Sequence, residues 1–111
     1  MKGFPAAIDP QLARQAAELG SRIRTARQRR RLRLADMADK TGLSRSTIEA
    51  VERGALGTSL GSYLAVLGAM GLARELDLIA DPGLDRDGLA LELSVTDKRI
   101  RVRPGPADND F

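Results

Sequence analysis

Apolar residues recur at helical spacing along the first two thirds of this chain and alternate with polar ones further on. Leu12, Ala16, Leu19, Ile23 and Ala26 fall three or four apart, which predicts one helix from about Pro10 to Arg30, with Gly20-Ser21 a point where it could break. Asp9 can cap that helix and Pro10 suits its first turn. Ala35 to Thr41 predict a short helix with Met37 and Ala38 on its apolar face, and Gly42 stops it. Leu43 then points inward, and Ser44 is an N-cap for a helix from Arg45 to Arg53 that buries Ile48 and Val51 and ends at Gly54. Leu60, Leu64, Leu67 and Leu72 define a further helix capped by Thr58 or Ser59. Its glycines, Gly61, Gly68 and Gly71, either admit a neighbouring helix or lie on the surface.

Beyond Leu72 the period changes. Arg74 to Ile79 alternate in part, which predicts a short strand with Leu76 and Leu78 on one face, closed by the Asp81-Pro82-Gly83 turn. A lone strand has unpaired edges and needs a partner, which a second subunit can supply. Leu89, Leu91, Leu93 and Val95 alternate strictly, as in a strand, yet Leu89 and Leu93 also fit a helix turn; the pattern leaves both open. Lys98 to Arg103 form a basic alternating stretch before Pro104-Gly105-Pro106. Met1 to Asp9 and the final Ala107 to Phe111 have no period, so fraying and disorder are expected there.

Composition narrows the chemistry. With 111 residues the chain is one domain with appendages, and its core is small enough to benefit from dimerisation. It has no cysteine and no histidine, which removes disulfides, thiolate metal sites and any Ser-His-Asp set. No glycine-rich loop leads to a P-loop lysine, and Asp36 and Asp39 share a helix face without a second carboxylate pair to hold a metal. No catalytic residue, metal or cofactor is therefore expected. The aromatics are Phe4, Tyr63 and Phe111, too few for a base-stacking surface. Without a signal peptide or a run of 18 apolar residues, a soluble cytoplasmic protein with no membrane contact is expected.

The net charge of +3 hides a lopsided distribution. Residues 1–54 carry 12 Lys/Arg against 6 Asp/Glu, whereas residues 55–96 carry 2 against 6. Arg22, Arg24, Arg27, Arg29, Arg30, Arg31 and Arg33 stand within twelve residues that contain no acid. A solvated helix face would mix signs; seven unneutralised guanidinium groups point instead to phosphate. The acidic half is then the side for a protein partner.

Leu34 to Gly54, LADMADKTGLSRSTIEAVERG, carry a family resemblance. Ala38, Gly42, Ile48 and Val51 occupy the positions where the helix-turn-helix of lambda-repressor-like (XRE-type) DNA-binding proteins has alanine, glycine, isoleucine and an aliphatic residue. The similarity runs from about Leu19 to Leu72 and implies an all-α fold: a compact five-helix domain, with SLGSYLAVLGAMGL as its fourth and fifth helices. The residues before Leu19 are then a helical extension. Arg27 and Glu52 match a first-helix arginine paired with a recognition-helix glutamate, a structural ion pair. Arg33 and Leu34 depart from the family's hydroxyl cap and phosphate-binding glutamine, so a capping bond worth about 1 kcal/mol is expected to be lost. The segment around ELDLIADP resembles HipB-type antitoxins, and similar tails suggest a short helix after it.

Together these readings give an extension over residues 1–18, a helix-turn-helix domain over 19–73, a dimerisation strand over 74–82 with Leu76, Leu78 and Ile79 at the interface, and a partly disordered tail over 83–111. A helix-turn-helix inserts its second helix into the major groove. Arg45 can grip guanine O6 and N7, Ala50 can touch a thymine methyl, Ser46 tolerates several bases, and Glu49 either accepts from cytosine or stays solvated. Arg29, Arg30, Arg31, Arg33, Lys40, Ser44 and Thr47 are the expected phosphate contacts. The resemblance implies a homodimeric repressor on an inverted-repeat operator at a bacterial nucleoid, acting as the antitoxin of a HipBA-type operon with a HipA-like kinase toxin as partner. A free-standing XRE regulator, or mainly a protein-interaction module, is the alternative; the mixed-sign arginine face that would favour the module is absent.

Overall fold

A computed structural model describes residues 8–99 of the chain. Among these residues it contains α1 (Pro10–Arg29), α2 (Leu34–Thr41), α3 (Arg45–Arg53), α4 (Leu60–Ala69), a 3-10 helix (Ala73–Leu78) and α5 (Arg86–Arg99). The chain divides into two compact units, one ending at Arg74 and the other beginning at Glu75. Of the end segments expected to be irregular, residues 1–7 and 100–111 lie outside the described residues, and with them most of the basic alternating stretch.

The first unit is a four-helix arrangement around Ile23, Met37, Ile48, Val51, Val66 and Met70, with Leu19, Leu32, Leu43 and Tyr63 packed on its rim. α1 is continuous. Asp9 accepts from the Gln11 N–H at 2.9 Å to start it, and residues 10–18 of the stretch read as an extension form its first turns. Gly20 is not a break but a contact point. A Cβ there would lie 2.6 Å from the Glu52 carbonyl oxygen and the Gly54 nitrogen, so the backbones of α1 and α3 meet where only glycine fits. Gly54, at φ +72°, closes α3 in the left-handed region, and a Cβ on it would run into the Ala16 backbone.

Helix α4 turns a different side inward from the one its leucines suggest. Val66 and Met70 are buried and Tyr63 and Leu67 half-buried, while Leu60 and Leu64 are exposed. Nearly every position of LGSYLAVLGA is apolar or small, so its period does not choose a face; the fit against α2 and α3 does. The Tyr63 hydroxyl donates to the Ala55 carbonyl at 3.3 Å and anchors α4 to the loop after α3. SLGSYLAVLGAMGL makes this single helix and then turns at Gly71, φ +74°, rather than making two helices.

The expected strand over 74–82 is replaced by 3-10 turns. Ile79 N–H donates to the Leu76 carbonyl at 3.1 Å, closing the backbone locally in place of a ladder that would need a second strand. The alternating residues that follow lie in α5, capped by Asp85, whose carboxylate accepts from the Gly88 N–H at 3.0 Å.

Gly20→Ala is expected to destabilise the first unit by roughly 1–3 kcal/mol, since three backbone atoms must move. Gly68→Ala, with open space around its Cβ position on α4, is expected to stabilise by about 0.5–1 kcal/mol. Urea denaturation of both variants measures the two signs.

Candidate nucleic-acid interface

Helices α2 and α3 are joined by Gly42, Leu43 and Ser44. Gly42 takes φ +80° and its N–H donates to the Ala38 carbonyl at 2.8 Å, ending α2. The Thr41 hydroxyl donates to the Met37 carbonyl at 2.7 Å and accepts the Leu43 N–H at 3.1 Å, which sets the angle of the turn. Ser44 Oγ accepts from the Thr47 N–H at 3.1 Å and so caps α3. The same oxygen lies 2.9 Å from the Thr47 hydroxyl and 3.2 Å from that of Ser46, a small hydroxyl cluster at the exposed start of the helix.

Helix α3 has two distinct sides. Ile48 and Val51 face the core, and Glu52 faces α1. Arg45, Ser46, Glu49 and Arg53 are exposed, with Ala50 half-buried beside them. Arg45, Glu49 and Arg53 stand four apart and form one stripe along the helix. Arg53 was not among the residues expected to act here, although that spacing identifies it. It lines an open groove of about 410 Å³ with Arg24, Leu34, Glu49 and the Arg27–Glu52 pair.

That pair fixes the inner side. Arg27 Nε donates to Glu52 Oε2 at 2.6 Å and Nη2 to Oε1 at 3.0 Å, a bidentate contact that is nearly closed to solvent. Its remaining Nη1 donates to the Leu32 carbonyl at 2.9 Å, tying in the loop after α1. The hydrogen bonds that Arg27 donates to Glu52 raise its pKa above the ordinary value, so its charge is permanent and internally neutralised.

The remaining arginines do not form one patch. Arg24 lies on the α3 side of α1. Arg22, Arg29 and Arg30 border a second groove, of about 460 Å³, with Ser21, Thr25 and Leu72, and Arg30 Nη1 also donates to the Ala26 carbonyl at 2.9 Å. Arg31 and Arg33 occupy the loop between α1 and α2, and Lys40 is exposed in the last turn of α2. Arg31 adopts φ +57°, a region that costs a side chain about 1–2 kcal/mol and that glycine enters freely.

Arg33 does not leave α2 uncapped. Its backbone N–H donates to Asp36 Oδ2 at 2.7 Å, and its guanidinium holds the same carboxylate through bonds of 3.1 and 3.0 Å. The lost hydroxyl cap is thus compensated from the third helical position, the reverse half of a capping box. The Arg33 guanidinium, and then its backbone N–H, hold the Asp36 carboxyl down at a pKa of about 2.

Residues 18–78 match the family model of a helix-turn-helix domain. The chain belongs to this XRE-like helix-turn-helix family. The match covers α1 from Glu18, the whole α2–turn–α3 unit, α4 and the 3-10 segment, and it supports a DNA-binding regulator. A search of curated proteins found no match. Among the described residues, no helix of this helix-turn-helix protein is long and apolar enough to cross a membrane.

Because the Asp36 pKa is depressed on folding, its contribution is present above the ordinary carboxylate pKa and is lost as pH falls from about 4 to about 2. Asp36→Asn should remove that part of the acid dependence of the melting temperature. NMR titration of the Asp36 carboxyl in the parent chain measures its pKa directly; an ordinary value would remove the cap.

Proposed function

We propose that this chain is a sequence-specific transcriptional repressor that binds double-stranded DNA as a homodimer on an inverted-repeat operator. The observation that carries the reading is the two-sidedness of α3. Its inner side is held by Ile48, Val51 and the Arg27–Glu52 pair, which leaves Arg45, Ser46 and Glu49 on a rigid outer stripe. Major-groove reading requires such a helix, with donors near its N-terminus. Arg45 is then the principal base contact, and Ala50 is placed for a thymine methyl.

Phosphate contacts fall to the groups around the helix starts. Ser44 and Thr47 stand at the start of α3 and Arg31 and Arg33 before α2. Arg29, Arg30 and Lys40 are exposed and available for the same role. Arg31 takes the left-handed position that closes α1, where its N–H donates to the Gln28 carbonyl at 2.9 Å and the Leu32 N–H to the Arg27 carbonyl at 3.2 Å. Its side chain is exposed and makes no ion pair among the described residues, which leaves it available to phosphate.

The finer reading is an autoregulating HipB-like antitoxin whose partner is a kinase-like toxin. Its support is the resemblance of the segment around ELDLIADP and the charge reversal between residues 1–54 and 55–96. A toxin docked on the acidic half would leave α3 free for DNA. Leu76, Leu78 and Ile79 remain proposed dimer contacts, now carried by a 3-10 turn; Leu78 and Ile79 are exposed and Leu76 is half-buried.

Arg45→Ala is expected to erase discrimination at one base pair per half-site, a loss of about 1–3 kcal/mol against the wrong base. Arg31→Gly should weaken binding to all sequences and reduce the slope of log affinity against log salt by about 0.9 per lost phosphate contact. The same change should leave folding stability equal or higher, because the left-handed strain is relieved. Titrations of specific and random duplexes over a salt series separate these effects; intact discrimination in Arg45→Ala refutes the base-reading role.

Co-expression with the product of the neighbouring gene tests the antitoxin reading. A toxin–antitoxin complex that retains operator DNA is expected. Displacement of the partner by DNA would place the toxin on the arginine face, and absence of any complex would make this a free-standing regulator.

A further inference from the structure

Among the described residues the second unit contains helices but no buried side chain. Leu84, Leu89, Leu91, Leu93 and Val95 are all exposed, with Leu78 and Ile79 upstream. A helix of 14 residues is marginal in water on its own, and α5 has a glycine in its first turn. Its apolar residues also lie on two sides. Leu89 and Leu93 stack one turn apart, while Leu91 and Val95 stack about 200° round the axis. One flat partner surface can cover only one of these sides.

We infer that residues 78–95 are an interface with a second copy of this chain. This deepens the dimeric reading above by naming the element that makes the dimer. A second copy brings two apolar elements at once, its own α5 and its Leu78–Leu84 turn, and so can cover both sides. The area is of the right size: the exposed parts of these side chains amount to on the order of 700 Å² per copy, close to the ~800 Å² per partner of a standard interface.

The test is sedimentation of the full chain without DNA, so that failure of this interface and failure of operator recognition are seen separately. The parent chain should be a dimer at micromolar concentration. Leu91→Asp and Leu89→Asp should each weaken association at least ~10-fold. Both should keep the cooperative melt of the helix-turn-helix unit, which shows that the variants fold. Leu60→Asp, at a residue 67% exposed on α4, should leave the dimer intact. A monomeric parent chain, an undiminished Leu91→Asp dimer, or a Leu60→Asp monomer would overturn the assignment.

Discussion

The bidentate contact between Arg27 and Glu52 holds the recognition helix at its place on α1, and the rest of the DNA-facing geometry depends on it. Two glycines make the contact reachable. Gly20 and Gly54 let the backbones of α1 and α3 approach so closely that the two side chains meet over a short span, and the third guanidinium bond fixes the following loop. A buried ion pair is weak support for stability, because desolvation offsets its attraction. Its value here is orientational. An apolar pair could fill the same space, but it would not fix the rotation of α3 through two parallel hydrogen bonds and the α1–α2 loop through a third.

The same contact redistributes the basic charge. Seven arginines without a nearby acid in sequence are not seven charges available to DNA. Arg27 is neutralised by Glu52, 25 positions on, and Arg33 shares its charge with Asp36. Arg22, Arg29 and Arg30 gather on the flank beside Leu72, while Arg24 joins Arg53 beside α3. The salt dependence of binding will therefore follow only those groups that reach phosphate, fewer than the run of arginines suggests.

Much of the first unit was legible because its punctuation is local. Gly42, Ser44 and Gly54 set the ends of α2 and α3, and Ile48 and Val51 mark the buried side of α3 within a single turn. The Arg27–Glu52 contact was readable only through family resemblance, since a separation of 25 positions leaves no periodic trace. Gly20 was misleading for the same reason: a glycine inside a helix looks like a weak point until the opposing backbone is known. Arg53 was overlooked although it continues the spacing of Arg45 and Glu49. In the second unit the local signal is ambiguous at source. Leu89, Leu91, Leu93 and Val95 would share one face of a strand and take opposite faces of a helix, and among the described residues of the unit no buried partner decides between them.

This contrast between the units bears on how a small helix-turn-helix protein gains affinity for DNA. Among the described residues the first unit buries six apolar side chains, whereas the second buries none. If α5 is completed by a second copy, ordering of the second unit and pairing of the two recognition helices become one event. DNA bearing two half-sites then stabilises the dimer by mass action, and the dimer raises the effective concentration of the second recognition helix at its half-site. A single half-site offers neither gain. Specificity for an inverted repeat would thus come as much from the marginal stability of α5 as from the bases that Arg45 touches.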